Sequence, residues 1–245
     1  MAVNAKGEEI TSIWTPANIV TCVRILFIPL FMIASEFAFS GFAAGGNHFG
    51  ITAGAWAVAA FVLYFVLSAT DKIDGDLARK RGEVTDFGKF LDPIADKLLV
   101  FSALLILLEH GLVNVWFVFI ILLREFLVSA LRMVASANGE VIAADNLGKA
   151  KTAVTMVSLC AYLLGIALEF LALPGMVQAT SIVLTVAWAT MVAAVVLTVV
   201  SGAQYFWNAR HVIFRVLRSF SSTLASSLVP CAFARVAWFY LGVPA

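Results

Sequence analysis

At 245 residues the chain could hold one or two water-soluble domains, but 62% of it is apolar and only 13% charged, with a mean hydropathy of +0.99. A soluble domain is nearer about half apolar and a quarter charged. These proportions exclude one and indicate an all-α, polytopic integral membrane protein. The formal net charge of +1 says little until its distribution is read, and no nucleic-acid partner is expected.

Six apolar runs, roughly 18–39, 52–70, 92–112, 114–136, 150–172 and 178–206, approach the ~20 residues that cross a hydrocarbon core ~30 Å thick. The last is longer and is expected to tilt or to extend into water. Continuous runs of this kind lack the alternation of a membrane barrel, and helices apolar all round give little periodic signal. The connections near 40–51, 109–114 and 169–177 contain no Lys or Arg; the N-terminal segment, 71–91, 137–151 and the chain after 207 hold most of them. By the positive-inside rule, six transmembrane helices then leave both termini and the 71–91 connection on the cytoplasmic side of the cell membrane. Residues 1–17 are expected to be a cytoplasmic segment, without the basic start and cleavage site of a signal peptide. Residues 18–206 make the six-helix domain and 207–245 a basic and apolar tail.

The first span opens with Asn18, Thr21 and Arg24 before reaching Pro29. A charged Arg24 inside an apolar helix costs a few kcal/mol unless it snorkels or meets an anion. Asn18 and Thr21, one turn apart, can cap or bond neighbouring backbone, or face a ligand. After the second span the chain reads DKIDGDLARKRGEVTDFGKFLDPIAD from Asp71 to Asp96. If Asp71 continues the preceding helix, then Asp74, Gly75 and Ala78 share its face, and Asp76 lies well around from them. Asp92 and Asp96, four apart, share a face of the next helix, with Gly88 one turn before.

Two pairs of carboxylates on facing helices suit hard divalent cations such as Mg²⁺ or Mn²⁺, which prefer oxygen ligands and can be held as a pair. Gly75, Ala78 and Gly88 leave room for a nucleotide or phosphate to approach. The plainer alternative is a polar interhelical loop whose acids balance Lys72, Arg79, Lys80, Arg81, Lys89 and Lys97. Pro93 either starts the third helix in its first turn or leaves the carbonyl of Lys89 without its helical partner.

The fourth span carries Arg124, Glu125 and Arg132. Arg124 is near mid-span, where an unpaired charge is expensive, so it is expected to face protein or a water-filled cavity. An Arg124–Glu125 pair is not expected, because adjacent helix residues diverge by about 100°. Arg124 and Arg132, two turns apart, roughly share a face and can line a path for an anion. A buried interhelical ion pair for Arg124 is the alternative. In the next connection Gly148 can release the backbone, and Lys149 and Lys151 lead into the fifth span as topology signals or as anion ligands.

The tail has Arg210, Arg215, Arg218 and Arg235, with 209–220 a candidate amphipathic helix on anionic lipid and 228–243 apolar but short for a span. Cys22, Cys160 and Cys231 have no paired spacing, so neither disulfides nor a zinc site is implied. His48, His110 and His211 show no metal-ligand spacing and are assigned no role.

Asp71-x-x-Asp74-Gly75-x-x-Ala78-Arg79, eight residues, then Gly88-x-x-x-Asp92-x-x-x-Asp96 resembles the signature of the CDP-alcohol phosphotransferases at every fixed position. Asn18 to Arg24, Gly88 to Lys97, Arg124 to Arg132 and Gly148-Lys-x-Lys-Thr152 resemble the bacterial branch that makes phosphatidylglycerophosphate, a likeness running from about 16 to 205 and not into the tail.

The resemblance implies attack of an alcohol on the β-phosphorus of CDP-diacylglycerol, with CMP leaving and glycerol 3-phosphate as acceptor. It implies two divalent cations, Mg or Mn, on Asp71, Asp74, Asp92 and Asp96. Asp71 and Asp92 are assigned as bridging ligands, and Asp96 also as the base that takes the alcohol proton. Gly75, Ala78, Arg79 and Gly88, with Asn18 and Thr21, are expected at the CDP moiety beside Asp71 and Asp74. Arg124, Lys149, Lys151 and Arg132 are expected at the acceptor's phosphate, where arginine offers a fork and lysine a point charge. A membrane homodimer is the expected assembly. Two other readings remain open: a relative using a different acceptor for cardiolipin or phosphoinositol lipid, and a divalent-cation transporter.

Overall fold

The computed structural model describes the backbone of residues 16–45, 47–48, 50–81, 86–137, 146–172 and 174–241, and the side chains of 18–45, 47–48, 50–70, 91, 94–133, 135–136, 147–172, 174–208 and 210. Among these residues there are six helices: α1 Pro16–Ala44, α2 Ala53–Arg81, α3 Asp86–Glu109, α4 Val115–Ala137, α5 Asn146–Leu171 and α6 Val177–Leu241. Every one of them begins or ends within a few residues of an expected span, except that α2 and α6 run on well beyond theirs.

The continuation of α2 through Arg81 carries Asp71, Asp74, Gly75, Ala78 and Arg79 on one unbroken helix. α3 starts at Asp86. Pro93 is therefore inside the helix and not in its first turn, and with no N–H it cannot bond the Lys89 carbonyl. α5 begins at Asn146, so Gly148 is helical and does not use its freedom to release the backbone. α6 is a single helix of 65 residues. At a rise of 1.5 Å per residue it would reach about 98 Å, some three times a hydrocarbon core. The change at 207 is thus one of composition and not of backbone.

Helix ends follow local chemistry. α1 opens on Pro16, whose missing N–H is no loss in a first turn. α3 closes on Gly111 in the left-handed region at φ 72°. That lets Leu112 N donate to Leu107 O at 2.9 Å and Gly111 N to Leu108 O at 3.0 Å, satisfying carbonyls at the helix end. One feature departs from an all-helical reading. Between α1 and α2 the strands β1 (Asn47–His48) and β2 (Ile51–Thr52) form an antiparallel ladder, pairing Asn47 with Thr52 and His48 with Ile51. A short connection between antiparallel helices must satisfy its own backbone groups, and this ladder does so.

α2 is flanked by α1 and α5, α6 by α5 and α4, and α3 packs mainly on α1. The core includes Phe31, Tyr64, Leu99, Leu104, Leu107, Ile121, Leu159 and Met191, all fully buried. Large apolar side chains also cover the outside, among them Leu26, Phe65, Trp116, Met133 and Trp188. Water would not tolerate such a surface over so much of the chain, and lipid does. Close helix approach is visible where α2 begins: a Cβ on Gly54 would sit 2.8 Å from the backbone oxygen of Phe170 on α5.

Four stretches are long and apolar enough to cross a membrane: Asn18–Ala44, Ala53–Thr70, Leu147–Leu171 and Val177–Asn208. The chain is thus a helical membrane protein. α4 is set apart by Arg124, Glu125 and Arg132, and the described side chains of α3 include Asp96 and Lys97. Charge also enters the bundle on two of the apolar helices, at Arg24 of α1 and Lys151 of α5, both buried.

Candidate active site

The inner face of α1 is a stripe at 18, 21, 24, 28, 31, 35 and 38, all buried. Its apolar half, Ile28 to Ala38, packs in the core; its other half is Asn18, Thr21 and Arg24. Arg24 is only 2% exposed, so it does not snorkel to lipid headgroups. It is held within protein, toward the end of the bundle where α2 and α3 carry the aspartates. A helix turned with polar residues inward and Leu26, Phe27 and Leu30 outward is inverted relative to a soluble one, because lipid rather than water surrounds it.

Of the four aspartates only Asp96 has a described side chain. Those of Asp71, Asp74 and Asp92, and of Gly75, Ala78, Arg79 and Gly88, lie outside the described residues, as do Pro93 and the 138–145 connection. Asp96 is half-buried on the inner side of α3, beside the fully buried Ala95 and Leu99, and its Oδ1 is shielded from solvent. Tyr64, fully buried on α2 two turns before Asp71, is near enough for the Asp96 charge to act on it. The Tyr64 and Ser68 hydroxyls both donate to Met156 Sδ on α5, at 3.5 and 3.4 Å. Lys97, next to Asp96, donates to Ser129 Oγ on α4.

A second group of charges converges where α4, α5 and α6 meet. Glu125 Oε1 accepts from Lys151 Nζ at 2.6 Å and from Arg124 Nη1 at 2.9 Å. Arg124 Nη2 also donates to Ser201 Oγ on α6 at 3.2 Å. The side chains of Lys151, Arg124 and Glu125 are 5%, 14% and 19% exposed, so the group is nearly enclosed. Lys97 and Arg124 are the neighbouring positive charges that act on Lys151.

Small residues make this possible. A Cβ on Gly148 would lie 3.3 Å from Arg124 Nη2, and one on Gly202 would lie 3.2 Å from Arg124 Cγ. The arginine runs through a slot between α5 and α6 that alanine at either position would narrow.

The Arg124–Glu125 pair corrects the expectation drawn from their adjacency. A divergence of about 100° describes where side chains leave the helix. A guanidinium on a long stem can curl back, and Lys151 draws the Glu125 carboxylate toward the same interface. The interhelical pair at this position is therefore Glu125–Lys151. Of the four residues expected at the acceptor phosphate, the structure joins Arg124 and Lys151 through Glu125. Lys149 and Arg132 are exposed. Lys149 and Lys151 are two apart and project about 200° from one another, so only one of them faces inward.

Sequence reasoning assigned no role to Glu125, Ser129, Ser201 or Gly202. The available signal was faint: Ser201-Gly202 interrupts an otherwise apolar span, and nothing local tells which helix it faces. Cys22 and Cys160 are free thiols, and among the described residues no three His, Cys, Asp or Glu converge as a metal site.

A sequence model described as CDP-alcohol phosphatidyltransferase matches residues 14–200. A Bacillus subtilis protein named CDP-diacylglycerol–glycerol-3-phosphate 3-phosphatidyltransferase is 40% identical over 198 residues, covering 78% of this chain and 95% of its own. A Mycobacterium tuberculosis protein named as a probable phosphatidylglycerophosphate synthase is 38% identical over 189 residues, 77% of this chain and 78% of its own. A Sodalis glossinidius protein with the same name as the Bacillus relative is 33% identical over 201 residues, 79% and 94% of the two chains.

Proposed function

The chain belongs to the CDP-alcohol phosphatidyltransferase family, and from that premise we propose that it moves the phosphatidyl group of CDP-diacylglycerol to glycerol 3-phosphate, giving phosphatidylglycerophosphate and CMP. The observation that carries the choice of acceptor is the enclosed Arg124–Glu125–Lys151 group. Two cations and one carboxylate leave a positive site inside the bundle, and a phosphate dianion fits it where an uncharged alcohol would not. That agrees with the names of the relatives.

A hydroxyl of the acceptor attacks the β-phosphorus, a new P–O bond forms, and the bond from that phosphorus to the CMP oxygen breaks. Asp96, on the inner side of α3, takes the hydroxyl proton. Arg124 and Lys151 hold the acceptor's phosphate, with Lys149 and Arg132 at the approach. Asn18 and Thr21, buried on α1, lie beside the nucleotide together with Asp71, Asp74, Gly75, Ala78, Arg79 and Gly88.

The donor set suits a hard cation, since Asp96 keeps a carboxylate oxygen away from solvent inside the bundle and its three companions in the signature offer oxygen alone. Asp71, Asp74, Asp92 and Asp96 would hold two Mg²⁺ or Mn²⁺ ions, which when bound neutralise the diphosphate and stabilise the departing CMP oxygen.

All six helices span the cell membrane, with both termini and the site on the cytoplasmic side, where the positive-inside rule puts the Lys- and Arg-bearing connections. There the cytidine stays in water while the acyl chains stay in lipid. The basic stretch of α6 after 206 meets anionic lipid headgroups where the helix leaves the membrane, and the working unit is a homodimer.

The deciding experiment is CMP release by purified protein given CDP-diacylglycerol and Mg²⁺, with and without glycerol 3-phosphate. Release that requires glycerol 3-phosphate is the expected result. Release driven by another alcohol instead would move the chain to a different acceptor. Metal flux into liposomes without any release would make it a transporter.

A further inference from the structure

Arg124 and Lys151 are useful to an anion only if they are already in place when it arrives. Both have long side chains, and ordering them at the moment of binding would weaken the acceptor's hold. The structure shows what orders them. Glu125 takes one donor from each on a single oxygen, Oε1. Ser201 donates its own hydroxyl to Thr198 O at 3.3 Å, which leaves its oxygen lone pairs to receive Arg124 Nη2. Gly202 provides the space through which the arginine stem passes, and Gly148 the space beside its tip.

Donors remain for a ligand. Arg124 Nε is buried and has no hydrogen-bond partner among the described residues. An ammonium has three N–H groups, and Glu125 receives only one from Lys151.

We propose that Glu125 and the Ser201–Gly202 step of α6 are positioning residues for the acceptor's phosphate, holding Arg124 and Lys151 in the arrangement that receives it. This rests on the transferase reading above. It adds α6 to an acceptor site otherwise drawn from α4 and α5, and it gives Glu125 a purpose that does not involve touching substrate. Because a phosphate dianion brings two negative charges, the single carboxylate does not cancel the site; it spaces and orients the two cations.

The test is steady-state CMP release by the full chain in detergent micelles, varying glycerol 3-phosphate and CDP-diacylglycerol in turn. Glu125→Gln should raise KM for glycerol 3-phosphate roughly tenfold or more, the effect of losing a charge-assisted bond, while KM for CDP-diacylglycerol stays within about twofold. Glu125→Asp, which keeps the charge at shorter reach, should fall between wild type and Glu125→Gln. Gly202→Ala should raise the same KM several-fold by crowding the arginine stem. If either variant does not accumulate as folded protein, Ser201→Ala removes the hydroxyl without adding volume and should produce a several-fold rise alone.

A wild type whose CMP release ignores glycerol 3-phosphate overturns the transferase reading itself. A wild type with normal acceptor dependence, beside variants whose acceptor KM does not move or moves equally with that for CDP-diacylglycerol, overturns the positioning role alone.

Discussion

The two ends of the bundle both bring an acid and a base together, and they do so for different ends. Where α4, α5 and α6 meet, one carboxylate serves two cations in near-complete enclosure. At the opposite end Glu36 Oε1 lies 3.4 Å from His110 Nε2, a one-to-one pair whose side chains are 43% and 22% exposed. There the support is aromatic. Phe39 stacks on His110 with ring centroids 3.6 Å apart, Phe42 stacks on Phe170 at 4.1 Å, and His48 stacks on Phe37 at 5.1 Å. Ser40 and Trp56 tie the β1–β2 ladder to the same layer, at 3.0 Å to His48 Nε2 and 3.2 Å to its carbonyl.

Charge imbalance in an enclosed slot is costly and needs a ligand to justify it. A partly exposed Glu36–His110 contact braced by rings closes the end of a bundle and asks for nothing further. Substitutions at the first end should therefore change kinetics, and substitutions at the second should change stability.

The sharpest contrast is at Asp96. Asp96→Asn should lower CMP release by at least ~100-fold, the scale of a lost proton acceptor, with thermal stability kept; a mild kinetic defect would remove Asp96 from the chemistry. Next comes Lys151→Met. It should raise the glycerol 3-phosphate requirement by more than ~tenfold and also lower the melting temperature, since it breaks the buried pair with Glu125. Both readouts moving together would distinguish it from Asp96→Asn.

At the other end Gly54→Ala forces a Cβ against the Phe170 backbone oxygen, which cannot rotate away. A loss of about 1–3 kcal/mol, seen as a melting point several degrees lower, should accompany unchanged KM values for both substrates. His110→Ala removes one stacked ring and one rim pair, about 1 kcal/mol or a few degrees, again without kinetic effect. The smallest change is expected from Lys149→Ala. Its ammonium is exposed and screened, so the acceptor KM should rise by less than about threefold. A larger rise than that of Lys151→Met would invert the account of which lysine faces inward.

Much of this protein was legible along the chain. Unbroken apolar runs near ~20 residues give helices that lipid can surround, and α1 to α6 fall where those runs are. The Asp71–Asp96 spacing is a local property of consecutive turns, so it could be read without knowing what packs against it, and the family match agrees. The polar half of α1, Asn18 to Arg24, was visible as an oddity; its burial on the inner stripe was not.

What only the tertiary structure decided concerns partners across helices. Periodicity is silent where every face is apolar, so nothing in the sequence said that Lys151 turns in and Lys149 out, or that Gly148 makes room for Arg124 instead of loosening the backbone. Helix geometry alone argues against the Arg124–Glu125 pair, which exists because Lys151 and Ser201 pull both side chains to one interface. Ser201 and Gly202 gain their meaning entirely from α4 lying beside them. Element positions are written in short-range pattern, whereas the company a buried charge keeps is set by packing between residues far apart in the chain, and there the physical cost of an unpaired ion does the choosing.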